Sequence, residues 1–192
     1  YEADHGKILL DGHDIKSFKL EKLRTKIGNV PQNAFLFSES IEDNIRLGKK
    51  DANDSEIIAA SKNAVVHDNI LDFKEGYKTL LGERGVTLSG GQIQRVSIAR
   101  ALIKDPEILL FDDCLSAVDT DTEEKILKNL NVFCKNKTSI IVSNRVSSVK
   151  EAHHIIVLDK GRIIEEGNHE KLLKNKGTYA ELFNKQQDEK TF

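Results

Sequence analysis

Ser89, Gly90, Gly91 and Gln92 put a hydroxyl, two backbone amides without side chains and a carboxamide at the start of a helical stretch, where their donors converge on one small volume. Such a volume suits an anion, because the first N–H groups of a helix lack intrahelical partners and the helix dipole favours negative charge there. Within one helix and one strand follow Ile108, Leu109, Leu110, Phe111, Asp112 and Asp113, an apolar run closed by two carboxylates. Carboxylate oxygens suit a hard divalent cation such as Mg2+. Phosphate on the first segment and magnesium on the second is the chemistry these residues could do.

The elements that must position them can be read from periodicity. Ile93, Val96, Ala99 and Ile103 fall on one helical face, and Ser89 with Gln92 has capping-box spacing. A capped helix would account for the serine and the glutamine. It does not require two adjacent glycines, each of which costs a helix about 1 kcal/mol, so the pair implies a close approach by something else. The short apolar run at 108–111 reads as a strand buried on both faces of a parallel sheet, with its aspartates at the edge where open α/β sheets bind ligands. Side chains alternate along a strand, so Asp112 and Asp113 point apart and cannot share a role. The plainer reading is two loop carboxylates that cap nearby amides.

Residues 7–10 and 26–30 read as strands, the second leading into Gln32. Between about 40 and 104 the pattern turns helical, with Asn53 and Glu56 as a cap before Ile57, Ile58 and Ala64. Thr120 and Glu123 repeat the capping-box spacing before a stripe of Ile126, Leu127, Leu130 and Phe133, which core packing explains. A second buried strand at 139–142 ends at Ser143, Asn144 and Arg145. Residues 155–166 read as a hairpin turning at Asp159-Lys160-Gly161, followed by amphipathic helices around 169–174 and 178–186 and a frayed end from 187.

Together these segments resemble the ATP-binding cassette family. Leu88-Ser89-Gly90-Gly91-Gln92 matches its signature motif, and the run ending in Asp112-Asp113 resembles its Walker B. Val30-Pro31-Gln32 looks like the Q-loop, residues 81–85 around Glu83 and Arg84 look like the X-loop of exporter-type members, and Ser116-Ala117-Val118-Asp119 is similar to the D-loop. Residues 161–169 look like a segment common near the end of exporter cassettes. The resemblance spans about residues 6–183. It implies an α/β fold, a P-loop NTPase-like parallel sheet with a helical signature subdomain at about 40–104 set between core parts at 1–38 and 105–192.

The resemblance also implies ATP and Mg2+, with Asp112 holding the metal through water and Gln32 completing its shell. Ser89, Gly90, Gly91 and Gln92 would contact the γ-phosphate of a nucleotide held by a second cassette, with Asp119 at the same junction. Transmembrane domains would be contacted through the Gln32 and Glu83 regions, for which the plainer reading of Glu83 and Arg84 is a charged turn. Asp119 can equally be a helix cap.

One family motif is absent. No Gly-x-x-x-x-Gly-Lys-Ser/Thr occurs, and in the family that loop lies just upstream of where this sequence starts. With no methionine in the chain, it reads as a cassette fragment without its P-loop strand, expected by itself to bind ATP weakly, to be inactive, and to pair its unsatisfied sheet edges with other chains.

Two departures concern catalysis. Asp113 stands where the family places a glutamate that polarises water, and Asn144 stands where it places a switch histidine. The first is one methylene shorter, and the second can donate to phosphate but cannot become cationic near neutral pH. The plainer reading is tolerated drift. Otherwise the chain resembles the degenerate-site subunit of a heterodimeric multidrug exporter on the cytoplasmic face of the cell membrane. The alternatives are a soluble ATPase of the same superfamily and a nucleotide-responsive dimerisation module with little hydrolysis.

Composition sets outer bounds. The 192 residues are 39% hydrophobic, enough for one cored α/β domain, with no stretch that spans a membrane. Lysine and arginine total 29 against 31 acidic residues, so no excess of positive charge favours nucleic acid. Cys114 and Cys134 have no metal-site spacing and read as free thiols in a reducing compartment, and His153-His154 as surface.

Overall fold

The computed structural model describes residue 3, residues 5–82 and residues 85–190. A short antiparallel pair, β1 (Leu9–Leu10) and β2 (His13–Asp14), opens it, turning at Asp11 and Gly12. Helix α1 (Leu20–Lys26) feeds directly into β3 (Ile27–Val30). The helical stretch contains α2 (Ile41–Arg46), α3 (Asp54–Asn63), α4 (His67–Leu71) and α5 (Gly90–Leu102). Then come β4 (Ile108–Asp112), α6 (Thr120–Phe133), β5 (Thr138–Val142) and α7 (Val146–Val149). The chain closes with β6 (Ile155–Asp159), β7 (Arg162–Gly167), α8 (His169–Asn175) and α9 (Thr178–Lys190).

Strands β3, β4 and β5 form a parallel sheet in that order, with Val30 opposite Phe111 and Asp112 opposite Val142. The register brings the C-terminal ends of all three strands to one edge, and the loops carrying Gln32, Asp113 and Asn144 leave from it. The main hydrophobic cluster joins the sheet to the helices: Val30, Leu109 and Phe111 pack with Ile41, Ile45, Ile57, Ile98, Leu102 and Ile126. A smaller cluster of Val146, Ile155, Leu172 and Tyr179 ties α7 and the hairpin to α8 and α9.

Several sequence expectations hold. Asn53 and Glu56 form a reciprocal capping box at α3, and β6 and β7 pair as a hairpin turning through Lys160 and Gly161, both at positive φ. That pair of left-handed residues matches the twist of the strands it joins.

Others are corrected. The strand at 108–111 was expected to be buried on both faces. Leu109 and Phe111 are buried, but Ile108 and Leu110 only half so. The strand at 139–142, expected to be buried, is mostly exposed, with Ile140 at 51% and Val142 at 57%. The reason is the pleat: Leu109, Phe111 and the partly buried Ile141 face the helix-covered cluster, while β5 forms a sheet edge and its alternate residues face away.

The cap of α6 also differs. Asp119, not Thr120, is the N-cap, accepting from the Thr122 N–H at 3.0 Å. Glu123 does not fold back onto the helix start because donors elsewhere claim it. The expected fraying from 187 is replaced by helix to Lys190, which Gln186 anchors: its Oε1 accepts from Val146 N–H and its Nε2 donates to the Asn144 carbonyl, both at 2.8 Å.

A polar node fixes the start of the helical stretch to α5. Asn44, fully buried, donates to the carbonyls of Phe37 and Ser40 and accepts from Phe37 N–H at 2.8 Å. Arg100 donates to Asn44 O at 2.7 Å, to its Oδ1 at 2.9 Å and to Phe35 O at 2.9 Å. An arginine fork grips the loop after Gln32, and a lysine could not reproduce that geometry. Replacing Arg100 by methionine keeps the apolar stem but strips the buried acceptors of their charged donor. The expected loss is about 2 kcal/mol, with a melting temperature several degrees lower by thermal denaturation.

Candidate functional site

The site is built from the start of α5 and the loops at the sheet's C-terminal edge. Ser89 caps α5 in a reciprocal box: Gln92 N–H donates to Ser89 Oγ at 3.3 Å, and Ser89 N–H donates to Gln92 Oε1 at 2.9 Å. Capping is therefore real. It leaves the first-turn amides of Gly90 and Gly91, which no helical carbonyl can serve, at the exposed tip of the helix. The rest of α5 is buried almost all round, with Gln94, Val96, Ser97, Ile98, Ala99, Ala101 and Leu102 all inside. A helix so enclosed can shift its tip only by repacking the core.

The close approach implied by the paired glycines is made by the turn at 116–118. A Cβ on Gly91 would lie 2.9 Å from the Ala117 carbonyl oxygen, too close to fit, whereas one on Gly90 would make only an ordinary 3.5 Å contact with Ala117 Cβ, so the turn accounts for Gly91 and not for Gly90. Gln94 secures the same contact, its Oε1 accepting from Ala117 N–H at 3.1 Å and its Nε2 reaching Ser116 Oγ at 3.4 Å. Arg95 fastens the tip from the other side. It donates to Gly91 O at 3.2 Å, to Asn69 Oδ1 at 2.8 Å and to the carbonyl of Val65. Val65 is β-branched yet has φ 54°, a strained conformation held in place by this donor. Burial lowers the Arg95 pKa, but a guanidinium remains charged.

At the sheet edge Asp113 has φ 41° and donates its N–H to the Val142 carbonyl at 2.8 Å. Its Oδ2 accepts from Gln32 Nε2 at 3.4 Å, so the structure brings those two expected site residues together. Asp112, the last residue of β4, is exposed. Among the described residues no three His, Cys, Asp or Glu side chains cluster as a metal site. The donor set still fits Mg2+, which takes one or two carboxylates and completes its shell with water and phosphate oxygens. Asp112 and Gln32 would hold it.

Asn144 follows β5 with an exposed side chain, and its backbone carbonyl is tied to Gln186. Asp119 sits at the N-terminus of α6, where hydrogen bonds from Thr122 hold its carboxyl below the usual carboxylate range. Glu83 and Arg84 lie outside the described residues; the flanking Leu81 bridges to Val86. His153 and His154 are exposed, and both cysteines are free.

Three residues that position this site escape sequence reading. Gln94 was hidden within an apolar helix face, although a glutamine there needs a partner and so carried a signal. Glu123 was absorbed into a capping pattern. Arg145 gave no local signal, because every group its guanidinium binds is distant in sequence: Leu115 O, Ser116 O, Val118 O and Glu123 Oε2.

A parallel α/β sheet whose edge loops present Gln32, Asp112, Asp113 and Asn144, with a helical segment delivering Ser-Gly-Gly-Gln beside them, defines a nucleotide-binding domain of the ATP-binding cassette class. The chain belongs to the ABC transporter family, whose profile matches residues 1–116. It is 46% identical over 186 residues to "Heavy metal tolerance factor 1" of Caenorhabditis elegans, covering 97% of this chain and 23% of that protein. It is 48% identical over 187 residues to "ATP-binding cassette sub-family B member 6" of Rattus norvegicus, covering 97% of this chain and 22% of that protein. "Putative multidrug export ATP-binding/permease protein YgaD" of Bacillus subtilis (strain 168) is 44% identical over 183 residues, 95% of this chain and 32% of that protein. Among solved structures, that of a bacterial Atm1-family ABC exporter with ATP bound matches with a TM-score of 0.92 and 44% identity, over 97% of this chain and 33% of that one. The chain thus spans roughly a fifth to a third of the length of the relatives described.

Cys114, which follows Asp113 in the chain, is buried, and burial pushes its thiol up to about 12. At pH 8 only about one thiol in ten thousand would be ionised, and the sulfur is inaccessible. Iodoacetamide at pH 8 should therefore label the half-buried Cys134 ahead of Cys114 in the folded protein, and both after denaturation, as peptide mass spectrometry can read.

Proposed function

We propose that this chain is the ATP-hydrolysing motor domain of a membrane exporter, pairing head to tail with a second cassette so that ATP and Mg2+ lie between them. Its two halves serve different sites. Asp112, Gln32, Asp113 and Asn144 belong to a site of its own that hydrolyses slowly, whereas Ser89, Gly90, Gly91, Gln92 and Asp119 complete the competent site of a different partner subunit. Within the cassette, residues 1–38 and 105–192 act as the core and about 40–104 as the helical subdomain that carries the signature.

The observation that carries this reading is the contrast between the two halves. The signature tip is exposed and braced from both sides by Gln94 and Arg95. The carboxylate at 113 is one methylene short of the expected glutamate and is engaged by Gln32. A misplacement of about 1 Å at a reacting group costs on the order of 100-fold in rate. An asparagine at 144 can orient phosphate but supplies no cation. The names of the relatives support export as the coupled process, and the ATP-bound exporter structure supports ATP as the nucleotide.

Attachment to transmembrane domains is supported by the surface next to Gln32. Exposed Phe35 and Phe37 stack edge to face at 5.0 Å, and a groove of about 520 Å³ is lined by Phe37, Glu39, Asp43, Leu47 and Lys50. Clustered exposed aromatics beside a groove favour a protein partner. Among the described residues no helix is long and apolar enough to cross a membrane. In the arrangement we propose, transmembrane domains supply the spans and this domain works at the cytoplasmic face of the cell membrane. A nucleotide-responsive dimerisation module is the second reading, favoured by Asp113 and Asn144.

In the full-length assembled transporter, Asp113→Asn should lower steady-state ATP turnover far less than removal of the partner's catalytic carboxylate. Equal loss in the two assays contradicts the division of labour. Absence of turnover in the unmodified assembly favours the dimerisation module.

A further inference from the structure

Between Asp113 and Asp119 the chain is neither helix nor strand, yet its carbonyls are not left to solvent. Arg145 donates through Nη1 to Leu115 O at 3.3 Å and Val118 O at 3.2 Å, and through Nη2 to Ser116 O at 2.9 Å. The same Nη1 meets Glu123 Oε2 at 2.5 Å. Glu123 is only 2% exposed, and its other oxygen accepts from Ser147 Oγ at 2.8 Å and Ser148 Oγ at 2.7 Å. A carboxylate this deep is tolerated because every approach to it is a donor. Its partners come from one short stretch, 145–148, which begins directly after Asn144.

The backbone of that stretch is held as well. Arg145 N–H donates to Ser143 Oγ at 3.0 Å, and the Gln186 amide brackets Arg145 by binding the carbonyl before it and the N–H after it. Arg145 is thus rigid at its backbone and rigid at its guanidinium. Whatever sets its position also sets the turn 115–118, which in turn lies against Gly91 and Gln94 of the signature helix.

We propose that Arg145, keyed by the buried Glu123 carboxylate, is a positioning residue that ties the Asp119-bearing turn to the loop of Asn144. This chain's contribution to its partner's nucleotide site then depends on the loop that serves its own. The proposal rests on the head-to-tail reading above. A planar fork is required: three carbonyls and a carboxylate oxygen surround one guanidinium, whereas an ammonium is a point charge and can satisfy only part of that set.

The test uses the full-length transporter assembled with its partner. Arg145→Lys keeps the charge beside Glu123 and so guards against misfolding. It should lower kcat for ATP about tenfold with KM within about twofold, as expected for a displaced group that acts in the reaction more than in binding. Glu123→Gln should do the same. The double variant Arg145→Lys/Asp119→Ala should be no worse than the more severe single variant, since both act through one turn.

A purely structural role predicts a lower melting temperature, unchanged kcat per folded molecule and multiplying effects in the double variant; any of the last two overturns the proposal. Ser89→Ala separates this from failure of the underlying reading. If Ser89→Ala abolishes turnover while Arg145→Lys keeps kcat, the positioning role is wrong and the paired site stands. If Ser89→Ala leaves turnover intact, the paired-site reading falls, and the inter-site role of Arg145 with it.

Discussion

The ion pair between Glu123 and Arg145 is the contact on which the rest of the site depends. Glu123 is buried whereas the Arg145 side chain is 37% exposed, so losing the arginine leaves a buried carboxylate without compensation, while losing the glutamate leaves a cation that water can still reach. Here the pair also organises neutral groups: three turn carbonyls on the arginine and two serine hydroxyls on the carboxylate. Through these bonds α6, the turn before it and the start of α7 become one unit. Gln94 extends the unit to the signature helix, and Gln186 extends it to the C-terminal helix. Elements remote in sequence are held together at the C-terminal edge of the sheet by these side-chain bonds.

Local structural rules account for the serine, the glutamine and one glycine of the signature segment. Ser89 and Gln92 satisfy each other as a capping box, and the glycine at 91 is needed to let the Ala117 carbonyl approach. Neither fact consumes the first-turn amides of Gly90 and Gly91, which lie at the end of an otherwise enclosed helix. The fold therefore spends its local stability rules on holding a donor cluster still, which is what an anion site requires.

The parts of the fold legible in the sequence are those that local rules decide. The hairpin turn at Lys160-Gly161, the capping boxes at Asn53 and Ser89 and the strand ending in Asp112-Asp113 depend on neighbours a few residues away. The misreadings are tertiary. Glu123 satisfies a capping pattern in sequence, but donors from 145–148 take its carboxylate away from the helix start. The apolar run at 139–142 was read as buried, because composition does not tell whether both faces of a strand are covered. The end of α9 holds because Gln186 is fastened to residues some forty positions away. At the candidate site, residue types pointed to Gln32, Asp112, Asp113 and the Ser-Gly-Gly-Gln segment as candidates, while the residues that brace them are visible only in three dimensions.

The two roles proposed for this chain rest on a signature tip braced by Arg95 on one side and, on the other, the Asp113 carboxylate beside Gln32 with Asn144 following β5. The central claim is that the tip completes a nucleotide site on a second cassette. Thiol cross-linking tests this most directly, using Ser89→Cys in this chain and a cysteine placed in the phosphate loop of the partner cassette, in the full-length assembly. The account predicts a cross-link between the two subunits that forms with Mg-ATP and is lost without nucleotide. An assembly that turns over ATP yet never yields that cross-link would contradict it.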